Sequence, residues 1–311
     1  MSNSYHVPVL CQEAVEFLVS DPDGIYVDGT VGGGGHAEEI CRRLSEGGTL
    51  VCFDVDADAI ARATQRLQGA VPRVRFIHAN VRLIGTELRA LGIDRIRGVL
   101  LDLGVSSSQI DEGPRGFSFR SDDPLDMRMD RRQSLTAREI VNGYPEAALT
   151  DLILKYGEEH HARRIARRIV RTRPVETTGD LASIIGSAVG GRFLAKSLAR
   201  VFQALRIVVN DELAGLQETL AGAVDLLEPG GRVTVISYHS LEDRIVKDFF
   251  RKEAAASIRS GHKYVPDVRR EPRLGILTKK PVRPGAAEQA RNPRARSAKL
   301  RVAERLAVSA V

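Results

Sequence analysis

Ile25-Tyr26-Val27-Asp28-Gly29-Thr30-Val31-Gly32-Gly33-Gly34-Gly35-His36 reads as a short β-prone run that ends on an acid, turns, and enters a glycine-rich loop opening a helix. A helix is expected just before it, over 12–19, and the strand-then-helix theme repeats after it. Strands over 50–54, 74–79 and 99–103 alternate with helices over 58–67 and 82–91. Such alternation predicts an α/β fold with a doubly wound, mostly parallel sheet.

The alternation stops after Gly104. Residues 113–132 are polar and rich in charge, and helical periods follow over 137–141, 144–155, 158–171, 180–189 and 198–227. The strand pattern resumes over 232–237, behind the turn Glu228-Pro229-Gly230-Gly231. Residues 1–110 and 212–311 are therefore expected to form one discontinuous catalytic domain, with 111–211 inserted as a helical domain. In the tail, 276–278 and 298–302 look able to pair as a closing hairpin.

Ligands of an open parallel sheet bind beyond the carboxyl ends of its strands, where this reading places Asp28, Asp54 and Asp102. The spacing Gly32-x-Gly34-x-x-Ala37 satisfies a dinucleotide-binding pattern, with Asp54 about where a ribose-binding acid belongs. Asp28 argues for a different ligand, because a carboxylate at the first strand end repels a pyrophosphate but suits an ammonium group. S-adenosylmethionine carries the ammonium and lacks the phosphates. On that reading Asp54 accepts hydrogen bonds from the ribose hydroxyls and Asp102 lies near adenine or the reacting centre. Transfer of methyl to an amine needs alignment, exclusion of water and an acceptor for a proton. Asp102, Ser237 and His239 are the candidates for the catalytic groups. Ser240 is expected to cap the next helix, with Asp243 completing the box.

The chain has 311 residues, 43% of them hydrophobic, enough for a sizeable core. No run approaches the ~20 apolar residues of a membrane span, and the first residues lack a signal-peptide pattern, so the cytoplasm is the expected compartment. Cys11, Cys41 and Cys52 fit neither a disulfide framework nor a metal motif and read as reduced core residues. The seven histidines have no ligand spacing, so no metal is expected. Methylation at a pyrimidine carbon calls for a cysteine near the later strands, and all three cysteines lie early.

The net charge of +6 is uneven: residues 251–305 hold 16 Lys or Arg against 5 Asp or Glu, as expected of a polyanion binder. In the helix over 158–171, Ala162, Ile165, Ala166 and Ile169 share one face, and Arg163, Arg164, Arg167, Arg168 and Arg171 fall mainly on the other. That arginine face suits RNA or water equally well. With no Trp and 5% aromatics the chain has few stacking platforms, Phe117, Phe119 and Tyr238 among them. Recognition of shape and backbone is then expected, as for a structured ribosomal RNA.

Several separated motifs occur in one order: His6-Val7-Pro8-Val9-Leu10; Asp28-Gly29-Thr30 with 32–36; 101–107 followed by Gln109; Arg115-Gly116-Phe117-Ser118-Phe119; Phe202-Gln203-Ala204-Leu205-Arg206; 237–244; and Asn292-Pro293-Arg294 with 296–301. Through them nearly the whole chain resembles the RsmH (MraW) family of bacterial small-subunit rRNA cytosine-N4 methyltransferases. The resemblance implies a class I, Rossmann-like methyltransferase fold with a helical insert, and S-adenosyl-L-methionine as methyl donor. It implies a cytidine in the decoding region of 16S rRNA, within the small ribosomal subunit, as substrate. It further implies cofactor contacts at Gly34, Gly35, His36, Asp54, Val81, Asp102 and Gln109. Val81 departs from an aromatic residue in relatives, and Asp102-Leu103-Gly104-Val105 stands where the wider class of amino-methyltransferases carries a Pro-Pro-aromatic motif. A nicotinamide-dependent oxidoreductase and a non-catalytic ribosome assembly factor are the alternatives, and monomer and homodimer are both compatible with the sequence.

Overall fold

The computed structural model describes residues 8–104, 114–258 and 267–307. The chain divides into two compact units, residues 1–104 with 215–311 and residues 105–214.

The first unit is built on a seven-stranded sheet. Its strands are β1 (Ile25–Asp28), β2 (Thr49–Asp54), β3 (Arg73–His78), β4 (Ile96–Asp102), β5 (Leu227–Ser237), β8 (Leu274–Ile276) and β9 (Lys299–Arg305), in the spatial order β3-β2-β1-β4-β5-β9-β8. The first five run parallel; β9 is antiparallel to β5, and β8 to β9. The pair β8–β9 is the closing hairpin expected of the tail. This strand order, with a reversed strand beside β5, is the class I methyltransferase fold. A separate two-stranded pair joins β6 (Ser257–Ile258) to β7 (Val268–Arg269).

Side chains alternate across a strand, and here both faces are covered, so the central strands are apolar at nearly every position. Leu50, Cys52, Leu100, Ile236, Leu300 and Val302 point to one layer, with Ala14, Val15 and Leu18 of α1 (Cys11–Leu18) and Ala37 and Ile40 of α2 (Gly35–Arg43). Val51, Phe53, Val99, Leu101, Val233 and Val235 point to the other. There they meet α4 (Ile84–Ala90), α10 (Glu212–Leu226) and α11 (Ser240–Glu253). Each fully buried Leu, Ile or Phe contributes about 1.5–3 kcal/mol. The helix α3 (Ala57–Arg66) starts at Asp56, whose carboxylate accepts from the Asp58 amide.

The second unit holds α5 (Ala137–Gly143), α6 (Glu146–Gly157), α7 (Ala162–Thr172), α8 (Thr178–Val189) and α9 (Leu194–Asn210) around their own apolar core. In α7 the buried residues are Ala162, Ile165, Ala166 and Ile169, and all five arginines of the opposite face are exposed. The stretch expected to be helical over 198–227 is two helices, α9 and α10. Asp211, at φ 49°, takes the left-handed conformation that ends α9. Phe119 packs edge-on against Phe202 at 5.4 Å, and the Arg115 guanidinium lies 5.6 Å from the Phe117 ring centre. Two of the expected stacking platforms are thus engaged inside this unit. Gly116, at φ 73°, leaves no room for a side chain, because a Cβ would meet the Pro124 carbonyl at 2.4 Å.

Candidate active site

In the order β3-β2-β1-β4-β5 the chain changes direction between β1 and β4, and the crevice beyond that point is where an open sheet takes its ligand. Register fixes the acids around it. Asp28 pairs with Cys52 on one side and Leu100 on the other, so Asp54 and Asp102 each stand two residues, about 7 Å, further along their strands.

Asp28 is 1% exposed; its Oδ1 accepts from the Thr30 amide at 3.1 Å, and its buried Oδ2 has no hydrogen-bond partner among the described residues. Burial pushes this carboxyl up to about 6, against the pull of nearby His36, and the charges of Asp102 and Asp54 push the same way. Asp54 accepts from the Gly32 amide at 2.9 Å and the Asp56 amide at 2.9 Å, and burial raises its pKa as well. Three carboxylates held above their ordinary range in one crevice favour a cationic ligand over an anionic one.

The glycine loop is set by its surroundings. Gly34, at φ 78°, lies where a Cβ would stand 3.2 Å from the Ala63 Cα, a position that only glycine takes without strain. Arg66 holds the loop from outside, donating to Glu38 at 2.7 Å and to the Gly33 carbonyl at 3.3 Å. A Cβ on Gly35 would touch Pro8 at 3.0 Å, and the Val9 carbonyl lies 3.0 Å from His36 Nε2, so residues 8 and 9 clasp the start of α2. Val81 opens a 3₁₀ turn and reaches across Gly29, where a Cβ would meet its Cγ2 at 2.8 Å. Gln109 lies outside the described residues.

Asp102 is tied on three sides. Its amide donates to Thr30 Oγ1 at 2.7 Å, its Oδ1 accepts from the Tyr238 hydroxyl at 2.8 Å, and its Oδ2 stands 3.5 Å from His36 Nδ1. Burial carries the Asp102 carboxyl up to about 7, which the Tyr238 hydrogen bond opposes and the Glu242 charge reinforces. His36 is 6% exposed, and burial lowers its pKa. A carbonyl only accepts, so Nε2 carries the hydrogen toward Val9. In the neutral ring Nδ1 then faces Asp102 with a lone pair, a clash that one proton between the two groups removes.

The other two residues expected to be catalytic are placed differently. Ser237 is 2% exposed, and its hydroxyl lies 3.5 Å from the Lys299 carbonyl of β9. His239, not Ser240, caps α11: its Nδ1 accepts from the Glu242 amide at 3.4 Å, while Glu242 Oε2 accepts from the amides of Tyr238 at 2.9 Å and His239 at 3.2 Å. Asp243, expected to complete the box, accepts instead from Lys299 at 2.8 Å and Arg301 at 2.6 Å. Tyr238 was legible only as an aromatic. Its bond to Asp102 follows from register, since Asp102 pairs with Ile236 and the Leu103 amide donates to the Ile236 carbonyl at 2.9 Å, bringing residue 238 to the end of β4.

Burial pushes the Cys11 thiol up to about 12 and the Cys41 thiol up to about 11, and raises that of Cys52 too. None of the three offers a thiolate nucleophile at neutral pH.

Comparison with known proteins gives the family. The chain is 46% identical over 308 residues to a protein of Clostridioides difficile (strain 630) named ribosomal RNA small subunit methyltransferase H, covering 97% of this chain and 99% of that one. A protein of the same name from Heliobacterium modesticaldum is 45% identical over 309 residues, again 97% of this chain and 99% of the relative. Among solved structures, an rRNA methylase from Streptococcus thermophilus matches at a TM-score of 0.43 with 14% identity, over 96% of this chain and 94% of that one, a likeness too loose to add to the strand order. The sequence profile of the MraW methylase family spans residues 3–306. With that span and that identity, the chain belongs to the MraW methylase family.

Proposed function

We propose that this methyltransferase uses S-adenosyl-L-methionine to methylate the exocyclic N4 of a cytidine in the decoding region of 16S rRNA, within the small ribosomal subunit. The observation that carries the reading is the crevice acid Asp28, whose buried Oδ2 has no hydrogen-bond partner among the described residues. An ammonium group is the partner that such an oxygen lacks, and the methionine end of the donor brings one. Asp54 offers its remaining lone pairs to ribose hydroxyls, Gly34 and Gly35 let the backbone approach, and Val81 lines the adenine side. Once bound, the donor supplies a methyl group on a sulfonium for in-line displacement.

The protein's own part is to align the amine, exclude water and take a proton. Asp102, held by Tyr238 and next to His36, is the group that accepts the proton released as the N4–methyl bond forms. Its raised pKa near 7 suits a base working at neutral pH. Ser237 and His239 are proposed as positioning residues, fixing the end of β5 and the start of α11 that carry Tyr238. With no thiolate to add to C6 of a pyrimidine, the exocyclic amine is favoured over carbon 5.

An unpaired or flipped cytidine is required, because a paired amine is inaccessible. The unit of residues 105–214 is proposed to recognise the surrounding RNA through the exposed arginine face of α7, where Arg167 lies 3.5 Å from Glu146. The test is labelled methyl transfer to three acceptors: small subunits lacking the modification, free 16S rRNA and large subunits. Transfer confined to small-subunit RNA supports the proposal. Tight binding of donor and subunit without transfer would mark an assembly factor instead.

A further inference from the structure

A cavity of about 170 Å³ opens in the first unit between α11 and the β8–β9 hairpin, lined by Lys247, Phe250, Arg251, Ile276, Thr278, Lys279 and Arg301. We propose that it receives a backbone phosphate of the substrate RNA. The inference rests on the RNA reading above and adds a contact outside the crevice.

The charges are the first reason. Lys247 and Arg251 are four residues apart on one face of α11, Lys279 follows β8, and Arg301 comes from β9. Arg301 is 9% exposed and gives its Nε to Asp243, the same carboxylate that takes Lys299, so this acid is shared by two cations. Asp248 stands 3.6 Å from Lys247 but is 60% exposed. Among the described residues, Arg251 and Lys279 have no ion-pair partner. Like charges converge here without enough acid to balance them, beside the apolar walls of Phe250 and Ile276, an arrangement that focuses an electropositive field. A guanidinium fork and ammonium groups around one small cavity match the oxygens of a phosphate. The volume is nearly six times the ~30 Å³ share of one water, enough for a phosphate group.

Position is the second reason. α11 begins beside Tyr238 and His239 at the mouth of the crevice, and Lys247 lies eight residues past His239, about 12 Å along the helix at 1.5 Å per residue. A strand presenting its cytidine to Asp102 can reach the cavity with a neighbouring segment.

The test uses the full-length protein and the triple variant Lys247→Ala, Arg251→Ala, Lys279→Ala, none of which lies in the crevice. Binding to unmodified small subunits is measured across salt concentrations, with methyl-transfer kinetics and donor affinity alongside. The expected result is a slope of log affinity against log salt shallower by about 1, and a KM for subunits raised about tenfold, with kcat and donor affinity unchanged. Lys279→Arg alone should behave as wild type. An unchanged slope and KM overturn the proposal, even if inorganic phosphate binds the wild type and not the variant, since that marks a small-anion site. A wild-type protein that methylates no RNA overturns the underlying functional reading, an outcome separate from a difference between variant and wild type.

Discussion

Replacing Tyr238 by Phe should move the pH dependence of methyl transfer to higher pH while leaving the plateau rate nearly intact. The Tyr238 hydroxyl donates to Asp102 at 2.8 Å, and the Asp102 carboxyl titrates at about 7 with that bond in place. A hydrogen bond to a charged group is worth about 1.5–3 kcal/mol, and one pKa unit is 1.36 kcal/mol. Asp102 is 24% exposed, so water replaces part of the lost bond, and a shift of about one unit is expected. The sign follows from which form is stabilised. The hydroxyl favours the carboxylate, its removal favours the acid, and the base form then appears only at higher pH. With midpoints near 7 and 8, the variant should be about fivefold slower at pH 7 and nearly equal to wild type at pH 9. The assay is kcat/KM for small subunits between pH 6 and 9 at saturating donor. A midpoint that stays in place while the rate falls equally at every pH would refute the role given to Asp102, and so would a shift toward acid.

Asp28→Asn should stabilise the donor-free protein at pH 8 by up to about 3 kcal/mol and weaken donor binding, read by thermal melting and calorimetry. The folded protein holds the Asp28 proton more tightly than the unfolded chain, so wild-type stability declines between about pH 4 and 6, a decline the variant loses. Asp54→Ala should weaken donor binding by about 1–3 kcal/mol through the lost ribose contacts, and unchanged affinity in calorimetry would remove that assignment. Gly34→Ala should cost about 1–2 kcal/mol in a denaturant titration, because φ is 78° and the new Cβ crowds Ala63; an unperturbed midpoint would show that the loop shifts freely.

The parallel sheet was legible because each strand is a short apolar run followed by a helix with its own period, and the acids at the ends of β1, β2 and β4 follow directly. The reversed strand β9 was legible as part of a hairpin, since Leu300 and Val302 alternate with charged neighbours. Local signals fail where long-range register decides. A Ser at position 240 looks like the better cap, yet Glu242 closes a box with His239, because its carboxylate also takes the Tyr238 amide. The same register hides the Tyr238–Asp102 bond, which links residues 136 positions apart. Asp211 gave no sign of ending α9, since an aspartate tolerates the left-handed conformation without a glycine or proline to mark it. The basic tail was visible as composition only. Folding gathers Arg301 with Lys247, Arg251 and Lys279 from three separate elements.

The most direct test of the central claim is mass spectrometry of nucleosides from small subunits treated with the protein and donor carrying a deuterated methyl group, with the cytosine amine labelled by ¹⁵N. The account predicts the deuterated methyl on the ¹⁵N amine of one cytidine in 16S rRNA. A methyl on carbon 5, on a ribose hydroxyl or on another base would contradict it.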